Sequence, residues 1–198
     1  VYTNNLLNLF EDKNLSKVIY LSTAQVYGKN LKNYVSEKKK EYPSNNYGLF
    51  HKFTEDLIQQ HKIRRNLKTN LIFLRISNVV GMPLVKSKSV YRLLPHDVCR
   101  SLIKKNAAYL KSSGKQYRNF ICINDLLNAI SKLSKKNIPS GIYNIGGKNI
   151  SVINFVKLIK KSYDKKFKKN AKILVKSNFP KTIDKLSYNF DKISKELK

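Results

Sequence analysis

Three short stretches carry residues able to move a proton or grip an anion. Leu21-Ser-Thr-Ala-Gln-Val-Tyr-Gly28 sets the hydroxyls of Ser22 and Thr23 just after a β-branched run. A hydroxyl so placed can donate to or accept from an oxygen that is losing or gaining a proton. Tyr47-Gly-Leu-Phe-His51 spaces a phenol and an imidazole four residues apart, on one face if the segment is helical. Lys52 then lies about 100° further round a helix of 3.6 residues per turn and points elsewhere. Arg118, in Gly114-Lys-Gln-Tyr-Arg118, offers a planar guanidinium whose paired donors suit a diphosphate. Two of these have a plainer reading, a polar strand end for Thr23 and a core tyrosine for Tyr47, and a further stretch, Leu74–Gly81, reads plainly as a strand-to-loop turn built on Asn78 and Gly81.

The elements that must position these groups alternate between strand and helix. Val18–Ser22 reads as a short buried parallel strand. Residues 29–46 read as a polar, basic loop. A helix follows over about 46–67, with Tyr47, Phe50, Thr54, Leu57, Ile58 and His61 at helical spacing. Leu71–Arg75 is the next strand, and Gly81-Met-Pro83 ends that unit. Further along, Leu94–Lys105 reads as a helix, Ala108–Leu110 and Phe120–Ile123 as strands, and Asn124-Asp125 as the cap of a helix over 126–133. Gly141–Ile145 is a strand, Ser151 caps a helix over 152–163, Ile173–Val175 is a strand, and a short helix begins near Lys192. Residues 4–14 read as the end of a helix with Leu6, Leu7, Leu9 and Phe10 on its apolar face. Strand–helix alternation implies an α/β fold with a mainly parallel sheet.

Composition narrows the classes. No run of 18 apolar residues occurs, so no membrane span is expected. No basic region precedes an apolar run at the start, so no secretory signal is read there. Cys99 and Cys122 lack metal-site spacing and read as reduced thiols of a cytoplasmic protein; no metal site is expected. Forty Lys and Arg stand against twelve acids, a net charge of +28. That excess could mark a nucleic-acid binder. The lysines, however, run from Lys13 to Lys198 without clustering, beside abundant Asn and Ile. This favours a compositional bias over nucleic-acid binding.

Five segments, in this order, resemble the extended short-chain dehydrogenase/reductase family in its epimerase/dehydratase branch. They are Leu21–Gly28, Tyr47–Glu55, Leu74-Arg-Ile-Ser-Asn78-Val-Val-Gly81, Gly114–Asp125 and Gly141-Ile-Tyr-Asn-Ile-Gly146. The resemblance implies an incomplete Rossmann-type, doubly wound parallel sheet over residues 1–84 and a smaller α/β substrate-binding lobe over 85–198, with 116–135 packing back on the first. It implies NAD as cofactor and a nucleoside-diphosphate sugar as substrate, oxidised transiently at a sugar carbon. Thr23 and Tyr47 would be catalytic. His51 stands where the family carries lysine, so the charge that would stabilise a Tyr47 phenolate is weakened. Tyr47, His51, Ile76 and Ser77 would line the cofactor, and Asn78 and Arg118 the sugar nucleotide. Asn119 replaces the family's Asp.

Ala24 and Gln25 cannot supply the acidic groups that sugar dehydratases carry after the threonine, which favours an epimerase or a 4-reductase relative. The seven glycines form no Gly-x-Gly-x-x-Gly or related loop for a dinucleotide pyrophosphate. With no initiator Met, the chain is therefore expected to be a piece of a longer protein, inactive by itself. The intact form is expected to be a homodimer, through the helix ending near Phe10 and that over 46–67. Two alternatives stay open: a catalytically degenerate binder of the same ligands, and an RNA-binding relative on the same fold.

Overall fold

The computed structural model describes residues 15–28, 31–84, 89–177 and 185–198. The helix read over residues 4–14 lies outside them.

Strand β1 (Lys17–Thr23) pairs in parallel with β3 (Asn70–Ile76), and β3 with β7 (Gly141–Ile145). Helix α1 (Asn46–Arg64) makes the crossover from β1 to β3. Alternation along β3 explains why it is apolar at almost every position. Leu71 and Phe73 face Ile58 of α1, while Ile72 and Leu74 face Leu126 and Leu133 of α3 (Ile123–Lys135) and Ile193 of α5 (Asp191–Glu196). A strand buried on both faces must be hydrophobic on both. The sheet thus carries helices on each face, as expected for a doubly wound α/β fold. β7 lies beyond residue 84, so the main sheet recruits a strand from the second half of the chain.

A second core lies between α2 (Leu94–Lys105), α4 (Val152–Phe167) and the parallel pair β5 (Ala107–Leu110) and β9 (Lys172–Val175). Val98, Leu102, Ala108, Leu110, Val152 and Val156 fill it. Two further small sheets join these cores. β4 (Asn78–Val80) and β8 (Lys148–Ser151) flank β6 (Tyr117–Cys122), and β2 (Asn33–Val35) pairs with β10 (Leu186–Tyr188).

Several boundaries correct the sequence reading. The basic loop over 29–46 contains β2. The segment after Asn78 is a strand before it becomes a turn. β8 and β10 escaped notice, because three or four residues are too few to show a period. The helix read over 126–133 begins at Ile123, and its cap position is Cys122, with no side-chain capping bond. Asp125 sits inside the first turn, where its charge favours the helix dipole without capping it. Ser151 does cap α4, accepting from Asn154 N at 3.4 Å. Among the described residues no helix is long and apolar enough to cross a membrane, and no cluster of His, Cys, Asp and Glu could hold a metal ion.

Candidate active site

Parallel strands leave a crevice beyond their carboxyl ends. Here Thr23, the last residue of β1, is in register with Ile76, the last of β3, and Ile76 with Ile145 of β7. Above this edge opens a cleft of about 620 Å³. Its lining includes Thr23, Ile76, Ser77, Asn78, Gln116, Arg118 and Asn119.

After Thr23 the chain turns through a short 3-10 helix, Ala24–Tyr27, and Thr23 Oγ1 accepts from Gln25 N at 3.3 Å. The start of α1 docks on this turn. Asn45 caps α1 by accepting from Gly48 N at 2.8 Å, and its Nδ2 donates to Gln25 Oε1 at 2.8 Å. A Cβ on Gly48 would lie 2.5 Å from the Gln25 carbonyl oxygen. A glycine within a helix costs about 1 kcal/mol against alanine; this close approach is what it permits. Gln25, read from sequence as a group that merely fails to ionise, is therefore a tie. It brings Tyr47 to the turn that carries Thr23.

Tyr47 is 55% exposed and stands outside the cleft lining itself. One turn on, His51 meets its ring edge-to-face, with centroids 4.6 Å apart. The expected helix register thus holds: residues 47 and 51 share a face. Lys52 turns away to Asp56, at 2.5 Å, and Glu41, at 3.7 Å. His51 Nδ1 lies 2.9 Å from the Tyr20 hydroxyl. Burial lowers the His51 pKa, against the opposing pull of Glu55. Its ordinary value is about 6.5, so the ring is neutral at pH 7.

Beneath this face lies a buried ion pair. Glu55 is 3% exposed and Arg75 is fully buried. Arg75 donates through Nε (3.1 Å) and Nη2 (2.6 Å) to the two Glu55 oxygens, and Nη2 also reaches Glu41. Ser22 Oγ donates to Glu55, and the Arg75 guanidinium lies over the Tyr27 ring at 4.8 Å. Burial alone would lower the Arg75 pKa; the Glu55 carboxylate outweighs it and holds the guanidinium above its ordinary value. The loop before α1 supplies Glu41 here and Glu37, which accepts from Asn144 N at 2.8 Å. Sequence reasoning passed over these acids because the segment is basic on balance.

In the same cleft lining, the Arg118 side chain forms no ion pair or hydrogen bond among the described residues. It is exposed by area, yet enough protein surrounds it that desolvation pulls its pKa below the ordinary arginine value. Asn78 Nδ2 donates to the Asn119 carbonyl at 2.8 Å, so this residue serves the wall and also faces the cleft. Asn119 is 2% exposed. It accepts from Gly147 N and donates to Gly147 O and Asn149 Oδ1, all at 2.9 Å. An aspartate could not donate those two bonds. The departure from the family's Asp is thus matched by Asn149 and concerns the fold of this turn. Ser77 Oγ and Gln116 Oε1 are buried at the cleft with no hydrogen-bond partner among the described residues. Buried polar atoms are normally satisfied, so these two suit a ligand with hydrogen-bonding groups.

Known proteins place the chain. It is 29% identical over 157 residues to the dTDP-D-glucose 4,6-dehydratase of Homo sapiens, covering 78% of this chain and 43% of that protein. It is 26% identical over 167 residues to the ADP-L-glycero-D-manno-heptose-6-epimerase of Brachyspira hyodysenteriae, covering 82% and 51%. The chain therefore spans about half the length, or less, of these relatives. The solved structure of UDP-glucuronic acid 4-epimerase from Bacillus cereus, in complex with UDP-glucuronic acid and NAD, superposes with a TM-score of 0.77 at 25% identity, over 98% of this chain and 59% of that one. Residues 1–146 match the NAD dependent epimerase/dehydratase family, and the chain belongs to that family.

Proposed function

We propose that the protein acts on a nucleoside-diphosphate sugar with NAD, as an epimerase-type oxidoreductase. The observation that carries this reading is the cleft itself: Thr23 in its lining, Tyr47 docked beside it through Gln25, and an Arg118 side chain in the same lining that is unpaired among the described residues. The residues present fit the nicotinamide end of the cofactor, because Ile76 and the unpartnered Ser77 Oγ line the cleft next to Thr23. No glycine-rich loop for the pyrophosphate occurs in these 198 residues. NAD, when bound, takes a hydride from a sugar carbon and returns it.

Everything else falls to the chain. Thr23 and Tyr47 accept and return the proton of the sugar hydroxyl. His51 donates a hydrogen bond as a neutral ring. Arg118 pairs with the diphosphate, and Asn78 borders the sugar. Ala24 and Gln25 offer no acid for elimination, which favours epimerisation over dehydration. Residues 1–84 would serve the cofactor and the later lobe the sugar nucleotide. The test uses the intact protein: titrate NAD, then follow a panel of UDP- and dTDP-sugars by NMR. Interconversion of sugar epimers supports the reading, and failure to bind NAD would reject it.

Residue 51 provides a graded check. His51→Lys restores a fixed positive charge beside Tyr47. A gain of one to two pKa units in phenolate stability is about 1.4–2.7 kcal/mol. The pH optimum is expected to move down and the rate near neutral pH to rise about tenfold or more, where phenolate formation limits turnover. Lys52→Ala, which removes only the contacts to Asp56 and Glu41, is expected to leave the rate nearly unchanged. Loss of activity in Lys52→Ala would overturn the assignment of residue 51.

We further propose that the intact protein is a homodimer through α1, which exposes Leu49, Phe50, Phe53 and Ile63. An apolar face of this kind is a common mark of an interface. Sedimentation velocity is expected to give a dimer; a monomer at all concentrations would contradict it.

A further inference from the structure

Tyr20 lies in the middle of β1, three residues before Thr23. Its ring belongs to the core beneath α1, with Ile58, Leu71 and Phe73, and meets Phe73 edge-on at 6.3 Å. Its hydroxyl emerges from that core at His51 Nδ1, 2.9 Å away. Both groups are neutral near pH 7, at ordinary pKa values of about 10 for phenol and 6.5 for imidazole, and of the two the phenol O–H is the more acidic donor and the imidazole nitrogen the more basic acceptor. The phenol keeps its proton and donates; Nδ1 accepts. Burial keeps both groups in their neutral forms, since it raises the Tyr20 value and lowers that of His51. Thr54, also beside Tyr20, gives its own hydroxyl proton to the Phe50 carbonyl at 2.8 Å. A neutral imidazole that accepts at Nδ1 carries its single proton on Nε2. His51 Nε2 makes no hydrogen bond among the described residues.

We propose that Tyr20 is the positioning residue for His51. Anchored in the core, its hydroxyl holds the imidazole as the Nε2–H tautomer and presents one neutral donor beside Tyr47. The inference rests on reading Tyr47 and His51 as the pair that meets the cofactor and handles the proton. It adds a residue to that pair and gives its chemistry. Tyr20 and His51 together do by orientation what a lysine at position 51 would do by charge, and the free Nε2–H suits a ligand hydroxyl, such as one on a ribose. Tyr20 does not itself touch ligand in this scheme.

Tyr20→Phe removes one oxygen and keeps the ring in the core, so the fold should survive. In the intact protein at neutral pH, nitrogen-resolved NMR of the His51 ring is expected to show the proton on Nε2 alone. In Tyr20→Phe the two tautomers should mix. Loss of one hydrogen bond worth about 1 kcal/mol corresponds to NAD affinity weaker by about fivefold. In a His51→Ala background, Tyr20→Phe should cost nothing further, because its effect passes through His51. A native ring protonated on Nδ1 would overturn the proposal. So would an equal loss of NAD affinity from Tyr20→Phe with His51 present or absent, which would mark a packing role. The NMR result does not depend on NAD. A locked Nε2–H tautomer in a protein that binds no NAD would leave the Tyr20–His51 pairing standing while rejecting the functional reading.

Discussion

Tyr47→Phe in the intact protein is expected to lower kcat by about 10²–10⁴-fold, the usual worth of a positioned acid–base group. Its KM should change little. The phenylalanine ring keeps the edge-to-face contact with His51. Tyr47 is more than half exposed, and exposed substitutions usually shift stability by less than about 0.5 kcal/mol. The loss should therefore fall on proton transfer alone, and thermal melting should superpose on that of the native protein. Turnover close to the native rate would move the proton-handling role to Thr23, which lines the cleft directly. Equal losses in binding and turnover would instead mark Tyr47 as a contact to the ligand.

Arg75→Met is expected to cost about 3–5 kcal/mol of stability, because it leaves the Glu55 carboxylate buried without its cation. For a chain of this size each kcal/mol moves Tm by about 2–4 °C, so a fall of about 6–20 °C is expected. Glu55 would keep only the Ser22 hydroxyl as a donor. Replacing both partners, as Arg75→Met with Glu55→Leu, should recover much of the loss, since the buried charge is gone.

Function should suffer in the single variant too. Ser22 precedes Thr23, and Arg75 precedes Ile76 and Ser77, so Glu55 holds the ends of both strands that form the cleft edge. Urea unfolding of the three proteins checks this. A single variant as stable as the native chain would show that water or another cation satisfies Glu55 in place of Arg75.

The legible parts of this protein were those governed by neighbours in sequence. β3 stood out because a central strand buried on both faces needs an unbroken apolar run; β1 and β7 stood out as short apolar runs bounded by polar residues, although β1, expected to be buried, is mostly half-buried and exposes Leu21. Helix α1 could be placed, and with it the shared face of Tyr47 and His51 and the outward turn of Lys52, since residues four apart on a helix meet by geometry alone. Thr23 at a strand end and Ser151 at a helix start were equally local. The short strands β2, β4, β8 and β10 were not, for each exists only by pairing with a strand brought from elsewhere.

The same division runs through the site. The sequence by itself determined which side chains carry hydroxyl, phenol, imidazole and guanidinium, and which of them share a strand end or a helix face. Tertiary structure alone decided what those groups touch. His51 takes its partner from β1, 31 residues away, and Glu55 and Arg75 meet across 20. Asn119 finds Asn149 at a distance of 30 residues, and Gly48 matters because Gln25 lies against it. Local periodicity reports which face an element buries. Hydrogen-bond partners, and the protonation states they impose, follow from how the crossovers pack one element onto another.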